Sequence, residues 1–177
     1  FFVKNGYLHM NFKKGLYSYY STKLIYPTVV QGKSFVIVTQ VLRPVVKGKG
    51  SISAEVELMD SGRDNGLIAV WKVNADGSST LFVGKYLSNK WSELGNIAIG
   101  PNINELTIAI SRTDKYSVYY YTGTEDNNPS SLAKNFIIDD KKRNYNFILG
   151  GSNTKDSETN VFPEGQIKFD KVNVKIL

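Results

Sequence analysis

The 177-residue sequence contains no cysteine and a single histidine, His9. The first absence excludes disulfide staples, thiolate metal sites and cysteine nucleophiles, and leaves the redox compartment open. The second excludes a histidine-rich metal cluster and makes any Ser-His-Asp triad depend on one residue. Long apolar runs are missing as well. No stretch approaches the roughly 18 residues that a membrane-spanning helix needs, so no span is expected. Phe1, Phe2 and Val3 are too short an apolar start for a signal peptide, and a first residue other than Met suggests a processed chain or an excised piece. Acid is missing from one region: residues 1 to 50 carry eight Lys or Arg and no Asp or Glu, whereas residues 51 to 177 carry fourteen against sixteen. The net charge of +6 therefore originates in the N-terminal third.

Gathered on one surface, Lys4, Lys13, Lys14, Lys23, Lys33, Arg43, Lys47 and Lys49 would attract an anionic polymer, acidic polysaccharide above all. Spread over strands that face different ways, they serve solubility. No Arg-rich tract or RNA-binding aromatic signature accompanies them, so nucleic acid is not an expected partner.

What the chain does hold is aromatic residues and alternation. Eleven tyrosines and nine phenylalanines raise the aromatic share to 12%, and short apolar-alternating segments are cut every eight to twelve residues by Gly, Asn, Asp or Pro. That pattern predicts an all-β sandwich of two antiparallel sheets, with residues 1–177 as a single domain. Leu8, Met10 and Phe12 share one parity and His9 the other. A Tyr-rich strand over Leu16 to Tyr26 ends at Pro27. Phe35 to Leu42, apolar on both faces, reads as a central strand, and Pro44 with Lys47 to Gly50 reads as a loop. From Ser51 to Asp60, Ile52, Ala54, Val56 and Leu58 take one face while Ser53, Glu55 and Glu57 take the other. Leu67 to Val73 and Leu81 to Tyr86 form a meander around the Asn74 to Ser78 turn. Further strands are expected at Gly95 to Ile99, Glu105 to Arg112, Tyr116 to Tyr121, Asn135 to Ile138 and Asn144 to Leu149. Gly123 to Pro129 reads as a polar loop, and Ser130 to Lys134 is the most helix-like stretch. In the last strand Ile167 and Phe169 share one parity, and Val172, Val174 and Ile176 the other. A β-bulge at Asp170-Lys171 would return all five to one face.

The segments Gly6 to Phe12, Tyr19 to Leu24, Phe35 to Val41, Leu106 to Arg112 with Tyr116 to Tyr121, and Gly165 to Val174 resemble, in order and pattern, the concanavalin A-like lectin/glucanase superfamily. That family includes legume lectins, laminin-G modules and laminarinase-type hydrolases. The resemblance implies a jelly-roll sandwich. Hydrolases of the family carry E-x-D-x-x-E on one strand, with the first and last acids as nucleophile and general acid. Glu55-Val-Glu57-Leu-Met-Asp60 has acids at that spacing, so the resemblance would make Glu55 the nucleophile, Glu57 its orienting partner and Asp60 the acid. Asp in place of the last Glu shortens that arm by a methylene, and counting strands puts the family's catalytic strand nearer Asn65 to Trp71, which has no acid. Two exposed glutamates beside a turn aspartate are also ordinary on a half-solvated strand.

The expectation is therefore a non-catalytic carbohydrate-binding or adhesive module of an extracellular or cell-surface protein, with a polysaccharide or glycan as partner. Tyr119 and Tyr121 on one face, with Trp71 and Trp91, are the candidate sugar-stacking residues, and Glu55 and Glu57 the candidate polar ones. The alternatives are a laminarinase-like hydrolase using Glu55, Glu57 and Asp60, or a structural domain of a surface layer, filament or adhesin. No cofactor is required. Asp60, Asp64 and Asn65 in one turn, or Asp126, Asn127 and Asn128 in another, offer oxygen ligands of the kind that a structural Ca2+ takes, at no EF-hand spacing.

Overall fold

A computed structural model describes residues 2–23, 34–122, 129–138 and 145–176. Thirteen strands account for most of them: β1 (Phe2–Lys4), β2 (Tyr7–Phe12), β3 (Tyr19–Lys23), β4 (Phe35–Lys47), β5 (Ser51–Asp60), β6 (Gly66–Asn74), β7 (Ser79–Leu87), β8 (Lys90–Ile99), β9 (Glu105–Arg112), β10 (Tyr116–Tyr121), β11 (Ser130–Phe136), β12 (Tyr145–Thr154) and β13 (Glu164–Ile176). Among the described residues there is no helix.

The strands form two antiparallel sheets, one of seven in the order β1-β2-β13-β4-β9-β10-β11 and one of six in the order β3-β12-β5-β6-β7-β8. The protein is the expected β-sandwich. One continuous core lies between the sheets, with Met10, Phe12, Ile37, Ile108 and Phe169 from the first facing Ile52, Val56, Leu67, Trp71 and Leu81 from the second. Such burial is the main favourable term in forming the sandwich.

Phe35 onward is the middle strand of the seven, as expected, with Phe35, Ile37 and Val41 buried in the core and Val36, Val38 and Leu42 half-buried on the outer face. The strand is longer than its pattern indicated, because Pro44 sits in a bulge: Arg43 and Pro44 together span the interval between the pairs Leu42 with Lys168 and Val45 with Gln166. A bulge spares Pro the ladder hydrogen bond it cannot donate. The bulge expected at Asp170-Lys171 is present, between the pairs Phe169 with Val41 and Val172 with Thr39. Ile167 and Phe169 are fully buried, and Val172 and Val174 pack on the core, but Ile176 remains 47% exposed. Ser130 to Lys134 belongs to strand β11, held to β10 by pairs such as Tyr119 with Ser131. Tertiary pairing overrides a weak local helix preference there. β8 begins at Lys90 rather than Gly95, which places Trp91 on a strand. Leu24 to Pro27, and residues 123–128 of the expected polar loop, lie outside the described residues.

Candidate functional site

On the outer face of the six-stranded sheet, side chains from all six strands and one turn come together. Glu55 and Glu57 project outward from β5, whose core face is Ile52, Ala54, Val56 and Leu58. On β12, Gly150 stands opposite Glu55 and Ser152 opposite Ser53. On β3, Tyr19 stands opposite Ser152.

Glu57 is 0% exposed, so the pair is not the solvated face of a half-buried strand. Its carboxylate is satisfied from two directions: the Tyr19 hydroxyl donates to Oε1 at 2.9 Å and Arg63 Nη2 donates to Oε2 at 2.7 Å. The same Nη2 donates to the Tyr19 hydroxyl at 2.7 Å, and the guanidinium carbon lies 5.5 Å from the Tyr19 ring centroid. A buried carboxylate survives only when it is paired and hydrogen-bonded in this way. Arg63 reaches back from the β5–β6 turn in a left-handed backbone conformation, φ +60°. Gly150 makes the room, since a β-carbon there would lie 2.9 Å from Glu57 Oε1.

Glu55 stands beside this network and lines a groove. Ser152 Oγ donates to its Oε1 at 2.8 Å. Burial first, and then the neighbouring Glu57 charge, push the Glu55 carboxyl up to about 7, against the lowering effect of Ser152 and Arg63. Burial and the two glutamates likewise raise the Tyr19 hydroxyl far above its ordinary value. Burial alone would lower the Arg63 guanidinium, yet Glu57 and Tyr19 hold it above its usual range. The cluster thus contains one carboxylate locked in an ion pair and one carboxyl that changes charge near neutrality.

The groove has a volume of about 430 Å³. Glu55, Ser53 and Ser152 form one side, Ile68 and Val70 the floor, and Phe82, Tyr86 and Trp91 the other side. Trp91 is 42% exposed. Its indole stands edge-on to Phe82, centroids 6.5 Å apart, and 5.1 Å from the tilted Tyr86 ring. Beneath it, a β-carbon at Gly84 would overlap the six-membered ring of the indole, so the glycine is the seat of the platform. An aromatic ring lining the same groove as hydroxyl and carboxyl groups suits a ligand with one greasy face and polar edges.

The other candidates lie elsewhere. Trp71 is a core residue, 0% exposed, whose Nε1–H donates to Ser79 Oγ at 3.3 Å; its place on the inward parity of β6 removes it as a stacking surface. Tyr119 and Tyr121 are half-buried on β10 of the seven-stranded sheet, away from the groove. Asp60 shares the parity of Leu58, not of the glutamates, because β5 runs without a bulge against both neighbours. Its Oδ1 accepts from the backbone N–H of Asp64 and Asn65 at 2.9 and 3.3 Å, and its Oδ2 accepts from Asn65 Nδ2 at 3.0 Å. It braces the turn that carries Arg63, and Glu55, Glu57 and Asp60 do not converge. Among the described residues, no three His, Asp or Glu side chains come together as metal ligands would. Asp126, Asn127 and Asn128 lie outside the described residues. His9 is on the opposite sheet, stacked on Phe2 at 4.8 Å.

Contributors to the site that the sequence did not single out include Tyr19, Arg63, Ser152, Phe82 and Tyr86. One signal was available, for Phe82, Gly84 and Tyr86 share a parity on β7 and outline two rings flanking a gap.

No family model matches the chain, and no curated protein matches it by sequence. Solved structures do. A bifunctional GH43-CE protein of Bacteroides eggerthii superposes with a TM-score of 0.63 at 15% identity, over 97% of this chain and 21% of its own. A GH43 glycoside hydrolase engineered to display both endo-xylanase and exo-arabinofuranosidase activity gives 0.59 at 12% identity, over 82% of this chain and 30% of its own. The CBM2 module of the evolved Dit of Lactobacillus casei BL23 phage J-1 gives 0.57 at 10% identity, over 88% and 68%. The chain thus spans less than a third of either hydrolase. At these identities the likeness is one of fold: a β-sandwich that carbohydrate-related proteins also carry.

Proposed function

We propose that the protein is a non-catalytic carbohydrate-binding module of the concanavalin A-like kind, part of an extracellular or cell-surface protein, and that it holds a polysaccharide in the groove between Trp91 and Glu55. The observation that carries this reading is the partly exposed Trp91 indole, seated on Gly84 and lining one groove with Glu55 and Ser152. A pyranose ring has an apolar face for the indole and equatorial hydroxyls for the carboxyl and the serine. The likeness in fold to a CBM2 module is consistent with it.

A laminarinase-type hydrolase is the weaker reading, because it needs two carboxyls open to the scissile bond. Glu55 lines the groove, but Glu57 has no exposed surface and Asp60 belongs to the other parity. The test is a fluorescence titration with a panel of soluble plant and bacterial polysaccharides. Trp91 emission should shift on binding, Trp91→Ala should abolish it, and Tyr119→Ala should leave it intact. Release of reducing ends that disappears in Glu55→Gln would point to the hydrolase instead.

A further inference from the structure

We propose a second binding site on the opposite sheet: a cleft at the shared end of β2, β4 and β13 that takes a sugar unit bearing an anionic group, carboxylate or sulfate. The cleft has a volume of about 430 Å³, and Lys13, Lys14 and Lys47 line it together with Asn11, Gln166 and Glu164. Three of the eight cations in the acid-free N-terminal third therefore meet at one place, although they come from a turn and from a separate strand.

The turn that carries two of them is pinned. Gly15 N–H donates to Phe162 O at 2.9 Å and Leu16 N–H to Lys13 O at 3.4 Å, and Gly15 takes the left-handed φ of +77° that the reversal requires. Among the described residues neither Lys13 nor Lys14 has an ion-pair partner, whereas Lys47 is bridged to Glu164 at 3.1 Å. Among the described residues Glu164 is the one acid lining the cleft, and the lysines outnumber it three to one. Asn11 and Gln166 join through Gln166 Nε2 to Asn11 Oδ1 at 2.6 Å, which leaves an amide donor and an amide acceptor for sugar hydroxyls.

An acidic polysaccharide fits this cleft better than the other polyanions. Base stacking needs an exposed aromatic plane, and among the described residues the one ring lining the cleft, that of Phe12, is buried. The groove at Trp91 lies on the outer face of the other sheet, so one module would engage two glycan segments at once, with the gain in retention that bivalency brings.

The test measures binding of polygalacturonate and of chondroitin sulfate, each against its carboxyl-reduced or desulfated form, with single-stranded DNA as a third polymer. The Lys13→Met/Lys14→Met variant should bind the anionic forms about tenfold more weakly at low salt, and the difference should shrink as salt rises. Glu164→Gln should strengthen binding about threefold by freeing Lys47. Trp91→Ala should retain the charge-dependent component, which separates this site from the groove. Whichever of the two polymers loses more on neutralisation identifies the group bound. The proposal is overturned if the charged and neutral forms bind alike, if the double variant and Glu164→Gln leave affinity unchanged, if Trp91→Ala removes both components together, or if DNA binds as tightly as the polysaccharides.

Discussion

Trp91 rests directly on Gly84: the six-membered ring of its indole fills the space that a β-carbon of residue 84 would occupy. Adjacent strands β7 and β8 thereby build a platform that neither could hold alone. Gly84→Ala should push the indole off its seat and destabilise the protein by about 1–3 kcal/mol, the usual cost of overpacking. Trp91 emission should move to the red while that of buried Trp71 stays, and glycan binding at the groove should fall with it. Unchanged emission would mean that the ring does not depend on Gly84.

Glu55 gives a pH dependence of definite sign. Its carboxyl is raised from an unfolded value of 4.5 to about 7, so between those values the folded state binds the extra proton and stability declines as pH rises. Below pH 4.5 the group is neutral in both states and contributes nothing. Glu55→Gln should therefore match the wild type near pH 4 and exceed it by about 1–3 kcal/mol above pH 7, with the gain growing through the interval. Urea midpoints at pH 4, 6 and 8 would measure this, and equal gains at all three would contradict the burial that raises the group.

Arg63 is the only cation bonded to the buried Glu57 among the described residues. Arg63→Ala leaves that charge with the Tyr19 hydroxyl alone and should cost about 2–4 kcal/mol, somewhat below a fully buried pair because Arg63 is partly exposed. Adding Glu57→Gln should recover most of the loss, since no buried charge then remains. Thermal melts of the two single variants and the double would show it. Additive losses would mean that the two residues do not depend on each other.

The bulge in β13 can be tested by deletion. Removing Lys171 aligns Val172 and Val174 with the solvent-facing parity, because a shift of one residue turns every side chain over. The variant should lose several kcal/mol and its cooperative melt, while Lys171→Ala should lie within about 0.5 kcal/mol of wild type.

Much of the fold was legible because burial in a sandwich imposes a period of two. The glutamate face of β5, the meander through β7 and the bulge at Asp170-Lys171 all follow from which side chains alternate. Where that signal was weak or broken, length and type were misjudged: β11 has few apolar residues to betray it, and Pro44 conceals the second half of β4. For the candidate site, Glu55 and Glu57 could be picked out as polar side chains on one strand face, and Trp91 as an aromatic side chain outside the strands that the alternation marked. Their partners could not be.

Alternation along the chain by itself determined that this protein is a two-layered β structure and how each strand's side chains divide between two faces, because a strand's neighbours in sequence fall on opposite sides whatever it pairs with. Tertiary structure alone decided that Tyr19 and Arg63 neutralise Glu57, that Ser152 touches Glu55, that Trp71 is interior while Trp91 is open, and that Asp60 braces a turn. The contacts of Tyr19 with Glu57 and of Ser152 with Glu55 depend on which strand lies beside which and in what register, and pairing across 38 and 97 residues of chain is a property of the folded sheets.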